Sequence, residues 1–346
     1  MRWRNPPAKA DRSRSDGDTH MVTALVTGGT GFIGSHIARA LIASGHTARV
    51  LRRESSPLTA LEGLTVEHAI GDVTDPASLL AAMDGCEWVF HVAAVADYWR
   101  ADTARMYQVN VDGTRFVLEA ARKAHIKRVL FTSSGAALGR RAHSQPIDES
   151  LNFNGNPKRF PYGHTKALAE QEAARAVAQG QDVVILNPSV VMGPGDLNQI
   201  SGSLMLELKR GGVPAIPPGG VTLIDVRDVA AAHLMAATVG RSGERYLLGA
   251  FDVRWQTITA LSAEIVGVRP PPIVFPVFLG VPLGAIVDGL RTLGVKLAVN
   301  GDQIRQSTKL IYFDCHKAWQ AFGQPQIPLQ RMLQDTYDWY VAHGIA

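Results

Sequence analysis

From residue 21 onward, short apolar runs alternate with amphipathic stretches. Residues 21–27 (MVTALVT) form a continuous, partly β-branched apolar run bounded by glycine, the pattern of a strand buried on both faces. Similar runs predict strands at 47–51, 65–70, 87–92, 128–132 and 182–186. Between them, helices are predicted at 32–44, 103–124 and 161–179. The first of these sets Ile33, Ile37, Leu41 and Ile42 near one face and stops at Gly45. Strands alternating with helices predict an α/β chain with a doubly wound parallel sheet and right-handed crossovers. Beyond Asn187 the regularity fades, and Gly/Pro clusters at 193–195, 211–212 and 217–220 punctuate the chain. A helix at 226–239 and a strand at 245–248 are expected to return to the main sheet. The expected organisation is a disordered extension (1–20), a main α/β domain (21–190, rejoined by 225–250) and a smaller C-terminal lobe (191–224 and 251–346, with helices at 257–266 and 329–343).

Composition narrows the class. With 346 residues, 46% of them hydrophobic, the chain can bury a sizeable core and is not disordered as a whole. The formal charge is +4, and the first twenty residues, with five cations and three acids, hold half of it. No stripe of Lys and Arg interleaved with aromatics is present, so nucleic acid is not an expected partner. Cys86 and Cys315 make no disulfide framework and have no zinc spacing; a reducing, cytoplasmic setting and no metal are expected. The first twenty residues lack the apolar core of a secretory signal. Residues 270–287 carry no charge over 18 positions, long enough to raise a membrane span, but Pro276 and Pro282 interrupt them. Core or pocket lining is the expectation there, with weak membrane-surface contact as the alternative.

Thr27-Gly28-Gly29-Thr30-Gly31-Phe32-Ile33-Gly34 lies between the first strand and its helix. Gly28 permits the sharp turn, Gly31 admits a pyrophosphate to the backbone, and Gly34 lets the helix sit close to the strand. The helix N-terminus then offers free N–H groups to the diphosphate, as in a Rossmann fold. At the end of the second strand, Arg52 and Arg53 precede Glu54; planar cations there suit a 2′-phosphate, so NADP(H) is expected and NAD(H) is the second choice. Asp72, followed by Val73, ends the third strand and is placed to accept from the adenine amino group.

Tyr162 and Lys166 stand four residues apart in YGHTK and so share a helix face. A nearby ammonium and an oxidised nicotinamide would lower the phenol's pKa and make Tyr162 a proton donor and acceptor near neutrality. Ser134, in TSSG at the end of the fifth strand, supplies a hydroxyl to polarise a substrate oxygen.

These motifs, with GDVTD (71–75), HVAA (91–94), NVDGT (110–114), NPSVVMGPGD (187–196) and DVRDVAAAH (225–233), resemble the extended short-chain dehydrogenase/reductases. The resemblance is closest to the dihydroflavonol-4-reductase-like and 3β-hydroxysteroid-dehydrogenase-like branch, with the hopanoid-associated sugar epimerase type, and covers about 22–248. It implies Tyr162 as acid/base, Lys166 on the nicotinamide ribose and Ser134 on the substrate oxygen. It further implies Asn110 as a prop of this network, Val92, Ala93 and Ala94 near the pyrophosphate and ribose, and Pro188 and Ser189 beside the nicotinamide. Sugar 4,6-dehydratases of the family carry an Asp-Glu pair where Ser133-Ser134 stand, which argues against that chemistry. Tyr98, Trp99, Phe160 and Met192, with Phe278, are expected to line an apolar substrate pocket. His91 and His233 are expected to be buried packing residues, and His164 to lie away from the chemistry. A homodimer through the helices 103–124 and 161–179 is expected from the family habit. The expected activity is reversible reduction of a hydrophobic or aromatic ketone or aldehyde. The alternative is a nucleotide-sugar epimerase with tightly held NAD(H), and a non-catalytic dinucleotide sensor is the remaining reading.

Overall fold

The structure, a computed structural model, describes residues 21–96, 102–141, 145–295 and 300–346. The elements in chain order are β1 (Thr23–Thr27), α1 (Phe32–Ala43), β2 (Thr47–Arg52), β3 (Glu67–Ile70), α2 (Pro76–Met83), β4 (Trp88–His91), α3 (Thr103–Tyr107), α4 (Gly113–Lys123), β5 (Arg128–Thr132), α5 (Pro161–Ala178), β6 (Val183–Pro188) and β7 (Val190–Met192). There follow α6 (Ser203–Lys209), β8 (Gly220–Asp225), α7 (Val226–Val239), β9 (Arg245–Leu248), β10 (Phe251–Arg254), α8 (Trp255–Val266), α9 (Gly280–Thr292), α10 (Gly301–Ser307), β11 (Leu310–Ile311), α11 (His316–Phe322) and α12 (Leu329–Ala342).

Seven parallel strands run in the order β3-β2-β1-β4-β5-β6-β9. Period-2 alternation divides their side chains between two cores. Ala24, Val26, Phe90, Leu130 and Leu186 pack on Ile37, Leu41 and Val229 of α1 and α7. Leu25, Val89, Val129, Phe131 and Ile185 pack on Leu79, Val117, Ala121 and Ala169 of α2, α4 and α5. The inner strands are covered on both faces, which is why they read as apolar runs, whereas the edge strand β3 is largely exposed. The order reverses between β1 and β4, and a crevice opens there at the carboxyl ends of the strands.

Three differences from the sequence expectation stand out. The helix expected over 103–124 is broken by a π-helical turn at Gln108–Asp112, next to the Thr114 hydroxyl that donates to the Asn110 carbonyl at 2.7 Å. Helix α2 was not expected, although Asp75 caps it through the Ala77 N–H and Pro76 begins it, a legible start signal. A second sheet was also missed: β8 pairs with β10 (antiparallel) and with β11 and β7 (parallel), and its core joins Met192, Met205, Leu223, Ile258, Met332 and Leu333.

Candidate active site

The crevice at β1 and β4 is built from backbone. Gly28 has φ +69°, and an added Cβ there would lie 2.7 Å from the Ala93 nitrogen. A Cβ at Gly34 would lie 2.2 Å from the Gly28 carbonyl oxygen, so only glycine lets α1 sit this close to the turn. Gly31 is the N-cap of α1; no side chain caps that end and its first turn holds no acid. The N-terminal N–H groups and the positive end of the helix are thus left for an anion. The residues present fit the diphosphate of a dinucleotide.

A chain of hydrogen bonds fastens the two lips of this crevice. Thr27 Oγ1 accepts from the Val92 and Ala93 N–H groups at 3.2 Å and lies 2.8 Å from His91 Nδ1. His91 Nε2 lies 3.0 Å from Thr114 Oγ1, which donates to the Asn110 carbonyl. Each hydroxyl has one proton, so Thr27 donates to Nδ1 and the imidazole carries its proton on Nε2. Burial holds His91 neutral, its pKa down to about 3. Asn110 continues the chain: its side chain accepts from the Val95 N–H at 2.7 Å and donates to the Val95 carbonyl and Thr165 Oγ1, both at 3.1 Å. The expected buried strand histidine is therefore also a splint, and Asn110 props the network by direct bonds. The reciprocal spacing of Thr27, His91 and Thr114 was in the sequence, but nothing in it showed that they meet.

At the adenosine end the two arginines differ. Arg52 is the last residue of β2, and its guanidinium binds His68 Nδ1 and the carbonyls of Arg53 and Glu54. Arg53 is exposed and, among the described residues, enters no ion pair. Asp72 accepts from the Thr74 N–H and hydroxyl, and its other oxygen lies 3.6 Å from Arg105; these partners hold it below the usual carboxylate range against the effect of burial. Val73 is buried against Gly113.

On the far side of β4 the site is made of side chains. The tandem serines at the end of β5 point opposite ways. Ser134 hydrogen-bonds the Tyr162 phenol, whereas Ser133 donates to the buried Glu170 carboxylate at 2.5 Å. Asn187 of β6 donates both to Glu170 at 2.6 Å and to the Ser134 carbonyl at 3.0 Å. Arg245 of β9 reaches the second Glu170 oxygen at 3.3 Å. Lys166 donates to the Thr132 carbonyl at 2.8 Å, and its ammonium lies 5.2 Å from the Phe131 ring centroid. His233 Nε2 accepts from the Thr132 hydroxyl while Nδ1 bonds the Val229 carbonyl, so this histidine buttresses the lysine's acceptor rather than merely filling space.

The electrostatics correct one expectation. Burial raises the Tyr162 phenol above its ordinary value, and the Ser134 hydrogen bond opposes it only in part. Burial likewise brings Lys166 down to about 8, with Glu170 pulling it back up. Glu170 is itself raised by burial and held down by Ser133, Asn187 and Arg245. Lowering of the tyrosine is therefore not built into the protein alone. Glu170 was missed because it belongs to no motif first read; Asn187 opens NPSVVMGPGD but was given no role there. Glu170 does fall at i+4 from Lys166, on the same face as Tyr162 and Lys166.

The expected pocket residues separate. Phe160 precedes α5, with its ring edge toward Tyr162 and stacked on Phe153. Met192 is buried in the core of the second sheet, so it packs rather than lines an open pocket. Tyr98 and Trp99 lie outside the described residues. Pro188 ends β6, and the Ser189 hydroxyl beyond it is buried with no protein partner among the described residues. His164 lies 2.6 Å from the Tyr107 hydroxyl. The stretch 270–287 is not core: Phe278 is 74% exposed. In the first of the two helices expected to pair copies, Val117 and Ala120 are buried within the chain's own core.

Comparison with known proteins agrees with this geometry. The chain is 38% identical over 92% of its length to a provisionally named dihydroflavonol 4-reductase of Synechocystis sp., covering 95% of that protein. It is 35% identical to cinnamoyl-CoA reductase 2 of Arabidopsis thaliana, over 71% of this chain and 78% of that one. The crystal structure of gox2253 superposes with a TM-score of 0.82 at 33% identity, over 93% of this chain and 99% of the other. The model of the NAD dependent epimerase/dehydratase family matches residues 24–249. With its glycine-lined β1–α1 turn and parallel sheet, the chain belongs to that family, the extended short-chain dehydrogenase/reductases, and is an NAD(P)-dependent oxidoreductase.

Proposed function

We propose that the protein reduces the carbonyl group of a hydrophobic or aromatic small molecule with NADP(H), reversibly, and that Tyr162, Ser134 and Lys166 carry the proton chemistry. The observation that carries this reading is the buried Tyr162 at the start of α5, with Ser134 at the end of β5 acting on its phenol and Lys166 one turn further along the same helix. The Gly28–Gly34 turn, the N-terminus of α1, Val92–Ala94, Pro188 and Ser189 would hold the dinucleotide. When bound, it supplies the hydride to the carbonyl carbon. Ser134 donates to the carbonyl oxygen and polarises it. Tyr162 gives its phenolic proton to that oxygen as negative charge develops. Lys166, close to half protonated near pH 8, takes a place on the nicotinamide ribose and favours the phenolate left behind. Arg53, exposed at the adenosine end, pairs with the 2′-phosphate. The Phe153–Phe160 pair beside Tyr162 favours an apolar substrate, and the reductase names of the relatives favour carbonyl reduction over epimerisation. Two copies pair through α4 and α5, whose outward residues include Phe116, Ala167 and Ala174.

A panel of aromatic and terpenoid ketones and aldehydes, followed by loss of NADPH absorbance, tests the reading. Turnover of at least one member with release of NADP+ is expected. Purification with non-exchanging NAD(H), together with interconversion of a nucleotide sugar, would replace the proposal by the epimerase.

A further inference from the structure

Sixteen large apolar side chains are exposed on the described surface, and nine of them fall between residues 273 and 295. A surface with apolar residues scattered singly needs no explanation; a contiguous patch does. Its centre is α9. On its inner side, a Cβ added at Gly284 would lie 2.7 Å from the Gly301 carbonyl, so the helix packs tightly on α10. Its one acid, Asp288, is paired with α10, accepting from the Gly301 N–H at 2.9 Å and from Arg305 at 2.5 Å, while its side chain stays 45% exposed. On its outer side stand Val281 (68% exposed), Ile286 (58%) and Leu290, continued by Phe278 and Leu293 at the two ends. An ordinary surface helix sends its apolar stripe to the core. This one leaves much of its apolar surface outside.

The charge pattern around the face says what covers it. Residues 270–301 contain a single acid, Asp288, and it is occupied by α10. The margins are basic. Arg269 is exposed just past α8, Lys309 is exposed beside Thr308, whose side chain packs on Gly280, and Arg291 lies near the C-terminal end of α9. An apolar centre, a basic margin and an acid already neutralised by Arg305 are complementary to an anionic lipid leaflet. A second copy docked through the same face would set the basic margin against itself. Helix α9 has 13 residues and contains Pro282, and no described helix is long and apolar enough to cross a membrane. Its geometry is that of a helix lying in the plane of the interface.

We propose that the face formed by residues 273–295 docks on an anionic membrane surface, with α9 in the headgroup plane and Phe278, Val281 and Ile286 entering the acyl boundary. This inference does not depend on the redox reading, since it uses none of the same residues.

The test is co-sedimentation of the full chain with sucrose-loaded vesicles of phosphatidylcholine alone or with about 30 mol% phosphatidylglycerol. The full chain carrying Phe278→Glu and Ile286→Glu is compared with wild type. Both positions are exposed, and an unchanged circular dichroism spectrum together with unchanged NADPH affinity checks that the fold is intact. Wild type is expected to pellet with the anionic vesicles and less with the neutral ones, and the double variant to lose roughly tenfold in partitioning. Failure of wild type to bind either vesicle overturns the proposal. Equal binding by the variant also overturns it and assigns the contact to another surface. If the variant changes a dimer into a monomer by light scattering and leaves vesicle binding unchanged, the face is an interface between copies and the proposal fails.

Discussion

The two halves of the active site are made in different ways. On the β1–β4 side, nearly every functional atom belongs to the backbone: the Gly28 turn, the uncapped N-terminus of α1 and the N–H groups of Val92 and Ala93. The histidine that joins its two lips, His91, is buried and neutral. On the β5–β6 side, the functional atoms belong to side chains, and three charged or chargeable groups, Lys166, Glu170 and Arg245, meet through bonds to Thr132, Ser133 and Asn187. In the proposed reading the first half would bind through shape and dipoles, which are insensitive to pH but intolerant of an added atom. The second would act through proton affinity, which tolerates isosteric change and responds to every neighbouring charge. Substitutions in the two halves should therefore fail differently.

The largest effect is expected from Tyr162→Phe. It deletes one oxygen and keeps the ring, so turnover should fall about 10²–10⁴-fold while NADPH affinity changes little. Steady-state kinetics with a substrate from the carbonyl panel, beside fluorescence titration of NADPH, checks both halves of that statement. Near wild-type turnover would remove the side-chain half from the chemistry.

Gly34→Ala should give the opposite profile. Its methyl group meets the Gly28 carbonyl oxygen, so α1 must move away from the turn, at a cost of about 3 kcal/mol. NADPH affinity should collapse together with the thermal midpoint. An unchanged affinity would show that the close approach of α1 is not what makes the crevice.

Glu170→Ala leaves Arg245, which is one-fifth exposed, without its carboxylate and Ser133 without its acceptor. Loss of about 3 kcal/mol in urea unfolding is expected. Glu170→Gln keeps an acceptor and should recover most of the stability. If the Gln variant also recovers turnover, Glu170 serves geometry; if it does not, the charge beside Lys166 matters to the chemistry.

Arg53→Ala tests the adenosine end. NADPH should bind roughly tenfold more weakly and NADH unchanged, and Arg52→Ala should do less because Arg52 is held by its own turn. Equal affinity of wild type for the two cofactors, measured by titration, would end the 2′-phosphate assignment.

The smallest effect is in the pH dependence of stability. Lys166 titrates near 8 when folded and at 10.5 when unfolded, so between those values the unfolded chain binds more protons. Stability owed to this group therefore rises with pH across about 8 to 10, and Lys166→Met should remove that slope from chemical unfolding curves. Identical slopes in the two proteins would mean that the ammonium is not desolvated as its burial requires.

Much of this was legible in the chain. The inner strands of the main sheet follow from apolar runs, because a strand covered on both faces has no polar side to show. The glycine turn after β1 follows from spacing, since only glycine admits the close contacts a dinucleotide turn needs, and Tyr162 and Lys166 share a helix face by the helical period. The same local rules fixed neither the partners nor the surface. Lys166 bonds the Thr132 carbonyl, Ser133 and Ser134 serve different neighbours, and His91 joins Thr27 to Thr114, because the parallel sheet lays strands far apart in sequence side by side. The second sheet escaped notice for the same reason: β7, β10 and β11 are short, and each finds β8 only by long-range pairing. The apolar run at 270–287 shows the limit most clearly. Hydrophobicity sets what a segment would rather avoid, but only the packing of α9 on α10, which uses its glycines and its one acid, determined that the apolar side faces outward.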